Sequence, residues 1–401
     1  MIVGAPGANS VAGAAYVIYG GRTADPGNVD LAKITTTQAG RGMRIDGAIA
    51  NDDAGFAVAG GQDLNGDGRS DVILGAPLAS NNGRFHSGSA YVVYGEQTPD
   101  PADLNLVDIE TTQAARGMRV DGAVAGDLAG LAVAASRDLN DDGIADAIVS
   151  APFAGNNSRS ESGSVYVLYG EKGDDPTDVD LAQITAVQSS RGTRIDGPSP
   201  LAGEQGLAVA GGRDLNGDGI GDLIIGSPDA SFGHRFGGIA YVVYGRPGDA
   251  PDLDLAEIGT AQAARGFSIR GAEGGDEAGF AVTVGDDVNG DGRPDAVVGA
   301  DTAGNNHRSV SGSAYVIFGE RSADPSNVDL ARITTTQASR GLRIDGAAGG
   351  DRAGSAVAGS AGDLDGDGRP DVIVGAPAAD NGRRDSGSTY IVGIGPPPPP
   401  P

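Results

Sequence analysis

An acidic segment of nine residues occurs five times in this chain, with 73 to 76 residues from one copy to the next. We call the copies acidic loops 1 to 5; they are residues 63–71, 138–146, 214–222, 287–295 and 363–371. The stretches between them repeat the same order of apolar and polar runs. Repetition with a long, nearly fixed period is typical of architectures that are built from one structural unit. The sequence therefore predicts one repeated unit rather than several unrelated domains.

Each repeat contains four segments with the character of short β-strands. In one repeat, small residues fill 207–210, and continuous apolar runs fill 223–228 and 239–245. Residues 266–271 alternate between apolar and polar side chains. A continuous apolar run indicates a strand that is buried on both faces, and alternation indicates a half-exposed strand. A short helical turn is also expected near residues 255–258.

Four short strands per repeat predict an all-β fold, a β-propeller of four-stranded blades. The first strand would line a crowded axis, and the fourth would face water. Residues 1–47 supply only the last three strands of a unit, and the final unit supplies the first three. We therefore expect 22 strands, in five full or six nearly full blades, alone or as part of a seven-bladed ring. Residues 1–395 are assigned to this domain, and residues 396–401 to a polyproline II spacer or linker remnant.

The formal net charge of −26 excludes several classes of partner. An acidic surface repels nucleic acid and anionic lipid, so neither is expected to bind. The sequence contains no cysteine, which rules out disulfides and thiolate metal sites. No run approaches the ~18 apolar residues of a membrane helix, and residues 1–6 lack the features of a signal peptide. Direct membrane insertion is therefore not expected.

The acidic loops carry oxygen ligands at a spacing that suits calcium. Ca²⁺ binds six to eight oxygens at about 2.3–2.6 Å, and short Asp and Asn side chains on a tight turn supply them. Positions 1, 3, 5 and 9 would contribute side-chain oxygens and position 7 a backbone carbonyl, while glycine at position 6 permits the sharp turn. The predicted ligands of about five Ca²⁺ ions are Asp63, Asn65, Asp67, Arg69, Asp71, Asp138, Asn140, Asp142, Ile144, Asp146, Asp214, Asn216, Asp218, Ile220, Asp222, Asp287, Asn289, Asp291, Arg293, Asp295, Asp363, Asp365, Asp367, Arg369 and Asp371.

Two other interpretations of the acidic loops are an EF-hand and a metal-free turn. An EF-hand requires an acid at position 12 and a helix after it. Position 12 is apolar in all five copies and lies in a strand-like run: Leu74, Val149, Ile225, Val298 and Val374. Turns of Asp, Asn and Gly also form without a metal. Five copies with three or four acids each favour calcium, because carboxylates at short range repel one another.

A second motif follows each acidic loop directly. The sequence Gly-Ala-Pro, or a variant of it, stands at residues 4–6, 75–77, 150–152, 226–228, 299–301 and 375–377. The combination resembles the FG-GAP repeats of the integrin α-subunit propeller and its bacterial relatives, over nearly the whole chain. The family's Phe-Gly pair is altered here, with Ala54, Gln205 and Ala278 in the place of Phe. The resemblance implies a calcium-binding propeller at an extracellular or cell-surface location that serves in adhesion.

Three functions are compatible with these features. The resemblance favours a non-catalytic adhesion or protein-binding module, whose ligand is a protein or a surface polysaccharide. The alternative is a calcium-rigidified carbohydrate-binding or structural module of a larger secreted protein. The third is a hydrolase, which we do not expect. The histidines that Ser-His-Asp chemistry would need, His86, His234 and His307, all lie in polar loops and are interpreted as solvated residues.

The loops between the second and third strands, here called the second-to-third loops, differ most among the repeats. In a propeller they lie on the face opposite the acidic loops, and we hypothesise that this face is adhesive. The residues expected to contact a partner are Arg84, Phe85, Phe232, Arg235 and Phe236. The alternative is that these loops vary because nothing constrains them. Another set of arginines precedes each fourth strand and is interpreted as a solvated edge or as ion pairs between blades: Arg41, Arg116, Arg191, Arg265 and Arg340.

Overall fold

The computed structural model describes residues 1–20, 28–97, 101–173, 177–199, 207–320, 326–359, 362–380 and 382–394. These residues form six sheets, which we number in chain order, and each sheet is built mainly from one repeat. The all-β fold and the four-stranded unit predicted from the sequence are confirmed. The predicted proline tail, residues 396–401, lies outside the described residues, as does Gln205.

The main strands of each sheet are antiparallel and follow one another in space in the order of the chain. Sheet 1 contains the second, third and fourth strands of a unit: Ile2–Ala5, Ala14–Ile18 and Gly42–Asp46. Sheets 2 to 5 contain all four strands. Those of sheet 2 are Val58–Gly60, Val72–Ala76, Ser89–Val93 and Gly117–Asp121, and those of sheet 3 are Val133–Ala135, Ala147–Ala151, Ser164–Leu168 and Gly192–Asp196. Those of sheet 4 are Ala208–Arg213, Asp222–Ser227, Ile239–Tyr244 and Gly266–Arg270, and those of sheet 5 are Val282–Val284, Ala296–Ala300, Ser313–Ile317 and Gly341–Asp345. Sheet 6 contains the first three: Ala356–Ala358, Val372–Ala376 and Ser388–Val392. The described residues thus contain the 22 strands that the repeat predicted.

A two-residue parallel strand extends the outer edge of sheets 1 to 4. Each one comes from the connection between the third and fourth strands of the following repeat: Leu104–Asn105, Val179–Asp180, Leu253–Asp254 and Val328–Asp329. In sheet 1, Leu104 lies opposite Ile45 of the fourth strand. These additions join each repeat to its successor. The sequence prediction missed them because two residues are too few to display a strand period.

The same connections contain pairs of short 3₁₀ helices. Their bounds are Leu31–Lys33, Ala39–Arg41, Leu106–Asp108, Ala114–Arg116, Leu181–Gln183, Ser189–Arg191, Leu255–Glu257, Ala263–Arg265, Leu330–Arg332 and Ala338–Arg340. An Asp or Asn side chain caps the first helix of each pair. In the repeat that forms sheet 4, for example, Asp254 Oδ1 accepts a hydrogen bond from the N–H of Ala256 (2.9 Å). The helical turn expected near residues 255–258 is therefore confirmed. A single left-handed turn, Ala8–Val11, lies in the loop before the third strand of unit 1, with positive φ at Asn9, Ser10 and Val11.

The hydrophobic core is divided into clusters that lie between successive sheets. Between sheets 2 and 3, for example, Val92 and Val120 belong to the same buried cluster as Val149 and Leu168. Equivalent clusters join sheets 1 and 2, 3 and 4, 4 and 5, and 5 and 6. Sheets that pack face to face in chain order are the arrangement expected for the blades of a propeller.

The burial of the second strands follows the sequence pattern, and that of the fourth strands does not. The second strands of sheets 2 to 5 are buried on both faces, as their continuous apolar runs predict. The prediction of a half-exposed fourth strand is wrong for Gly117–Asp121, Gly192–Asp196 and Gly266–Arg270, in each of which four of the five residues are buried. The helical connection covers the fourth strands: in sheet 2, a Cβ at Gly117 would lie only 3.1 Å from Ile109 Cδ1.

Two glycines of each repeat allow neighbouring sheets to approach closely. A Cβ on Gly75, in the Gly-Ala-Pro motif of sheet 2, would lie 1.8 Å from the carbonyl oxygen of Gly130 in the next repeat. Gly130 itself has a φ of +89°, which favours glycine. Gly4 and Gly55 meet in the same way, at 2.1 Å. The glycine of the Gly-Ala-Pro motif and the glycine before the next first strand therefore recur at a fixed spacing because the backbones of adjacent sheets are in contact there.

Candidate metal sites

The acidic loops join the first strand to the second in sheets 2 to 6, and they share a network of backbone hydrogen bonds. In loop 1, Asp63 Oδ1 accepts a hydrogen bond from the N–H of Asp67 (3.0 Å), and Asp63 Oδ2 accepts one from the N–H of Gly68 (2.7 Å). The bond from the position-6 glycine recurs in the other four copies, at 2.7–2.9 Å, on Asp138, Asp214, Asp287 and Asp363. Position 1 therefore holds the loop in a tight turn around its own carboxylate.

The aspartate at position 9 is buried in all five loops, with at most 1% of its surface exposed. In loop 3, Asp222 Oδ2 accepts a hydrogen bond from the N–H of Leu215 (2.7 Å), and Oδ1 accepts one from the N–H of Gly245 (3.0 Å). Loops 1, 2 and 4 have the same two bonds. Gly245 follows the third strand, so this carboxylate fixes the loop to the third strand. The sequence interpretation missed this role of the glycine, although Tyr-Gly or Phe-Gly recurs at that place.

Burial raises the pKa of the position-9 carboxyls of loops 1 to 4. The pKa of Asp222 rises to about 8, because burial outweighs the two backbone hydrogen bonds and the other loop carboxylates raise the pKa further. The same causes raise the pKa of Asp146 to about 7, and those of Asp71 and Asp295 to about 6. A nearby cation favours the ionised form of such a carboxyl. Cation binding and the ionisation of position 9 are therefore linked.

The carboxylates at position 5 bind the backbone through one oxygen and a side chain through the other. Oδ1 accepts a hydrogen bond of 2.8–3.0 Å from the N–H of position 7 in every loop, from Arg69, Ile144, Ile220, Arg293 and Arg369. In loops 2 to 4, Oδ2 accepts a bond from the amide of the position-3 asparagine, as from Asn216 to Asp218 (2.9 Å). In loop 1, Arg69 Nη1 lies 2.7 Å from Asp67 Oδ2. The ligand role of the position-7 carbonyl stays a prediction.

Loop 5 brings three carboxylates together. Among the described residues, Asp363, Asp365 and Asp371 each place one oxygen within 4.8 Å of the others. Position 3 is an aspartate here and an asparagine in loops 1 to 4. Asp371 Oδ1 is buried, and no hydrogen-bond partner for it lies within the described part of the chain. A buried acceptor without a donor, next to two more carboxylates, fits a divalent cation.

The donor set of loop 5 fits calcium. All of its donors are oxygens, which hard cations such as Ca²⁺ prefer, whereas zinc and copper sites use nitrogen or sulfur ligands. Asp363, Asp365 and Asp371 would hold the ion, and the bound ion would neutralise their mutual repulsion. The exclusion of an EF-hand is confirmed, because position 12 lies inside the second strand in every copy and is at most 1% exposed: Leu74, Val149, Ile225, Val298 and Val374.

The acidic loops also contact the following repeat. In loop 2, the carbonyl oxygens of Leu139 and Asn140 accept hydrogen bonds from the N–H groups of Arg246 (2.9 Å) and Gly248 (2.7 Å), which belong to the unit of sheet 4. Loops 1, 3 and 4 accept similar bonds on Asn65, Leu215 and Asn289 from Gly173, Glu320 and the Arg369 guanidinium. An ion that orders an acidic loop would therefore also order its contact with the next sheet.

On the opposite face, two arginines of the second-to-third loops bridge successive repeats. Arg84 lies 2.7 Å from Asp180, and Arg159 lies 2.7 Å from Asp254. Both acids belong to the short parallel strands contributed by the next repeat. The Arg84 side chain is only 20% exposed, so the expectation that it is a free contact residue is wrong. The ion pair with the following unit accounts for its burial.

The aromatic residues of this face are exposed, as predicted. Phe85 is 69% exposed and stacks on His86, with ring centroids 3.7 Å apart. Phe232 and Phe236 are 37% and 38% exposed. Their rings lie under guanidinium groups: Arg270 Cζ is 4.9 Å from the centroid of Phe232, and Arg235 Cζ is 4.8 Å from that of Phe236. All three histidines lie in second-to-third loops, which agrees with their predicted position.

The arginines that precede the fourth strands form ion pairs inside their own repeats. Arg116 pairs with Glu96, and Arg191 Nε lies 2.9 Å from Glu171. Arg340 lies 3.1 Å from Glu320. In each case the glutamate follows the third strand of the same unit, so the expectation of pairs between blades is wrong for these three arginines. The residues are close because the third and fourth strands are adjacent in each sheet.

The chain matches a known family of repeats. The model of the FG-GAP repeat matches five segments, residues 54–93, 129–168, 206–243, 278–317 and 355–392. FG-GAP repeats typically bind Ca²⁺. Each segment contains one complete acidic loop and runs to the third strand of its sheet. The matched segments therefore coincide with the units that the internal repetition defines.

Similar proteins include an enzyme and receptor chains. Phosphatidylinositol-glycan-specific phospholipase D of Rattus norvegicus is 34% identical over 203 residues, which are 50% of this chain and 22% of that protein. Integrin alpha pat-2 of Caenorhabditis briggsae is 35% identical over 170 residues, 41% of this chain and 12% of that protein. Integrin alpha-5 of Xenopus laevis is 32% identical over 178 residues, 43% of this chain and 14% of that protein. The aligned part is less than a quarter of each of these relatives.

Proposed function

Because this chain is an FG-GAP repeat protein, related to integrin α chains and to phosphatidylinositol-glycan-specific phospholipase D, we propose that it is a calcium-stabilised binding module without catalytic activity. The observation that carries this proposal is how small a part of each relative resembles this chain. The aligned parts are 22% of the phospholipase D and 12% of integrin alpha pat-2. A repeat domain that forms part of an enzyme and part of an integrin alpha chain is better explained by binding or support than by one reaction.

Calcium has a structural role in this proposal. The loops hold buried aspartates beside the third strands and touch the next repeat through their backbone. Ions bound there would fix both contacts at once, so the sheets would present their outer loops on a rigid frame. Among the described residues no helix has the length and apolar character of a membrane span. We place the protein at the cell surface or outside the cell, by analogy with its relatives.

The ligand would bind to the face that carries the second-to-third loops. This face exposes Phe85, Phe232 and Phe236 on a body whose net charge is −26. Exposed aromatic side chains next to arginines are typical of residues that dominate protein interfaces. Arg84 and Arg159 would hold the loops in position through their ion pairs, rather than contact the ligand. A protein ligand is the proposal that these features favour.

The test compares two variants that remove exposed side chains from two different parts of the surface. The first carries Phe85→Ala, Phe232→Ala, Arg235→Ala and Phe236→Ala. The control carries Val107→Ala and Val187→Ala, two exposed valines (49% and 82%) in the third-to-fourth connections. Binding to an array of extracellular-matrix proteins is measured in calcium, together with the melting temperature.

We expect the first variant to lose binding and to melt within about two degrees of the unsubstituted chain, because exposed residues contribute little to stability. The valine variant should bind normally. Loss of binding in the valine variant alone would place the ligand on the third-to-fourth connections. Binding that survives in both variants would contradict the proposed face.

A carbohydrate ligand is the second candidate, because exposed rings can also stack on sugars. A glycan array with the same two variants separates it from the protein ligand. Binding to glycans but to no protein of the first array would establish the carbohydrate module. The absence of catalysis is checked with esterase, phosphodiesterase and glycosidase substrates. Turnover that disappears when a histidine of the second-to-third loops is replaced would overturn that part of the proposal.

A further inference from the structure

A small cavity lies between sheets 3 and 4 at the end where the third-to-fourth connections lie. Its volume is about 20 Å³, and its walls include Tyr169 and Thr193 from sheet 3 and Arg246 and Arg265 from the unit of sheet 4. The other wall residues are mostly apolar, among them Leu139 and others of the core between these sheets. A cavity whose charged side chains are both arginines is unusual in a chain with 54 acidic residues.

Three of the other repeats have an ion pair at this position. The arginine before the fourth strand pairs with a glutamate that follows the third strand: Arg116 with Glu96, Arg191 with Glu171 (2.9 Å) and Arg340 with Glu320 (3.1 Å). The unit of sheet 4 keeps the arginine, Arg265, but has Arg246 in the place of the glutamate. In those units the arginine lies beside a carboxylate. In the unit of sheet 4, the equivalent Arg265 therefore faces a second arginine, Arg246.

Arg265 has no counter-ion in the described structure. Its Nε is buried and lacks a hydrogen-bond partner among the described residues. Burial, and in second place the charge of Arg246, lower the pKa of Arg265. A cation that is withdrawn from water and faces another cation is costly unless an anion accompanies it.

The opposite wall of the cavity supplies further hydrogen-bond donors. Thr193 occupies the second position of its fourth strand, where the other repeats have apolar residues: Met43, Met118, Phe267 and Leu342. Its hydroxyl is buried and, within the described residues, has no partner. The Tyr169 hydroxyl accepts a hydrogen bond from the N–H of Ala250 (3.1 Å), which leaves its own proton free to donate. Donors from both sheets therefore meet in the cavity.

We propose that this cavity binds a small inorganic anion, chloride, between sheets 3 and 4. The volume of about 20 Å³ is enough for one water-sized particle. A water molecule could satisfy the hydroxyls, but only an anion also neutralises the arginines. The anion takes the place of the glutamate carboxylate that the other units supply, and it links Thr193 of one sheet to Arg265 of the next.

The experiment measures halide binding directly. The ³⁵Cl NMR line of sodium chloride is recorded with the calcium-loaded chain and two variants, Arg246→Glu and Arg235→Glu. Both substitutions change the charge by the same amount in the same repeat, but only the first restores the glutamate of the other units. We expect excess line broadening with the unsubstituted chain and with Arg235→Glu, and its loss with Arg246→Glu.

A second measurement keeps the result independent of folding defects. The melting temperature is compared in sodium chloride and in sodium isethionate at equal ionic strength. Chloride should raise the melting temperature of the unsubstituted chain, and the difference should vanish in Arg246→Glu and in Thr193→Met, both of which should remain folded. Equal broadening in the two glutamate variants, or a chloride effect that persists in Thr193→Met and Arg246→Glu, would overturn the proposed site.

Discussion

Acidic loops 3 and 5 share aspartates at positions 1, 5 and 9, yet they differ in how the buried aspartate at position 9 is satisfied. In loop 3, both oxygens of Asp222 accept backbone hydrogen bonds, and the neighbouring Leu215 is 3% exposed. In loop 5, Asp371 Oδ1 has no partner among the described residues, and Leu364 is 53% exposed. Loop 3 also accepts a hydrogen bond from Glu320 of the next repeat.

The difference shows that an acidic loop has two layers. The inner layer is the position-9 aspartate, which connects the loop to the third strand through the backbone. The outer layer is formed by the side chains at positions 1, 3 and 5, which would hold the cation. We expect a loop with a complete inner layer to be held by the protein itself, and loop 5 to depend more on a bound ion. The following predictions test this division.

The largest effect is expected from removing calcium altogether. We expect dissociation constants of ~10⁻⁴–10⁻³ M, or somewhat tighter, which is the range of extracellular calcium modules. Because the ions bind the folded loops and not the unfolded chain, each site then contributes about 0.4–1.4 kcal/mol in about 1 mM free calcium. Millimolar calcium should therefore raise the melting temperature, and chelator should lower it, in differential scanning calorimetry. A melting curve that is unchanged in excess chelator would contradict structural calcium sites.

The second prediction separates the inner layers of the two loops. Asp222→Ala leaves the N–H groups of Leu215 and Gly245 without an acceptor, and we expect it to lower the free energy of unfolding by about 3 kcal/mol. Asp371→Ala removes one such bond, that from Leu364, and should cost about 1 kcal/mol. Both are measured by urea unfolding in chelator, so that calcium plays no part. Equal decreases in the free energy of unfolding would contradict the idea that Asp371, with one fewer hydrogen bond, contributes less to stability than Asp222.

The third prediction concerns pH in the calcium-free protein. The pKa of Asp222 is raised to about 8 and that of Asp146 to about 7, above the ordinary value of 3.8. The folded state therefore holds protons that the unfolded state has lost, and the stability contributed by protonation falls as pH rises from about 4 to about 8. Calcium requires the ionised carboxyls, so its stabilising effect should grow over the same window. We expect Asp222→Asn to weaken two pH dependences: that of the stability of the calcium-free chain, and that of the stabilisation by calcium. Both are measured as melting temperatures from pH 5 to 8.

Much of this architecture could be predicted from sequence, because it depends on patterns that are repeated. The apolar runs identify the second and third strands. The acidic motif marks the turn before each second strand, and the Gly-Ala-Pro motif marks its end. The helical turn at Leu255–Glu257 also follows a local pattern. What could not be predicted depends on neighbours in space. The parallel strand at Leu253–Asp254 exists only because the fourth strand of the preceding sheet offers an edge.

The candidate sites divide in the same way. The ligand positions of the acidic loops are local, so their spacing alone indicates them. The partner of Arg84 is 96 residues away, and nothing in the second-to-third loop indicates that Asp180 will reach it. The cavity at Arg265 needs residues from two sheets. A signal for it was nevertheless present in the sequence, because Arg246 and Thr193 each break the pattern of the other repeats.

The smallest effect tests the outer layer by exchanging one residue between the two loops. Loop 5 has Asp365 at position 3, where loop 3 has Asn216, and the charge of the ligand set tunes calcium affinity. Asp365→Asn should weaken the site of loop 5 roughly tenfold, and Asn216→Asp should strengthen that of loop 3 by a similar factor, about 1.4 kcal/mol each. Calorimetric titration with calcium measures both, and Asn51→Asp, at an exposed position outside the acidic loops, serves as the control for an added charge elsewhere. In loop 3 the new carboxylate also loses the amide bond that Asn216 donates to Asp218. If that lost bond dominates, the affinity of loop 3 falls while the weakening in loop 5 remains, and the outer layer is then organised by hydrogen bonds rather than by charge.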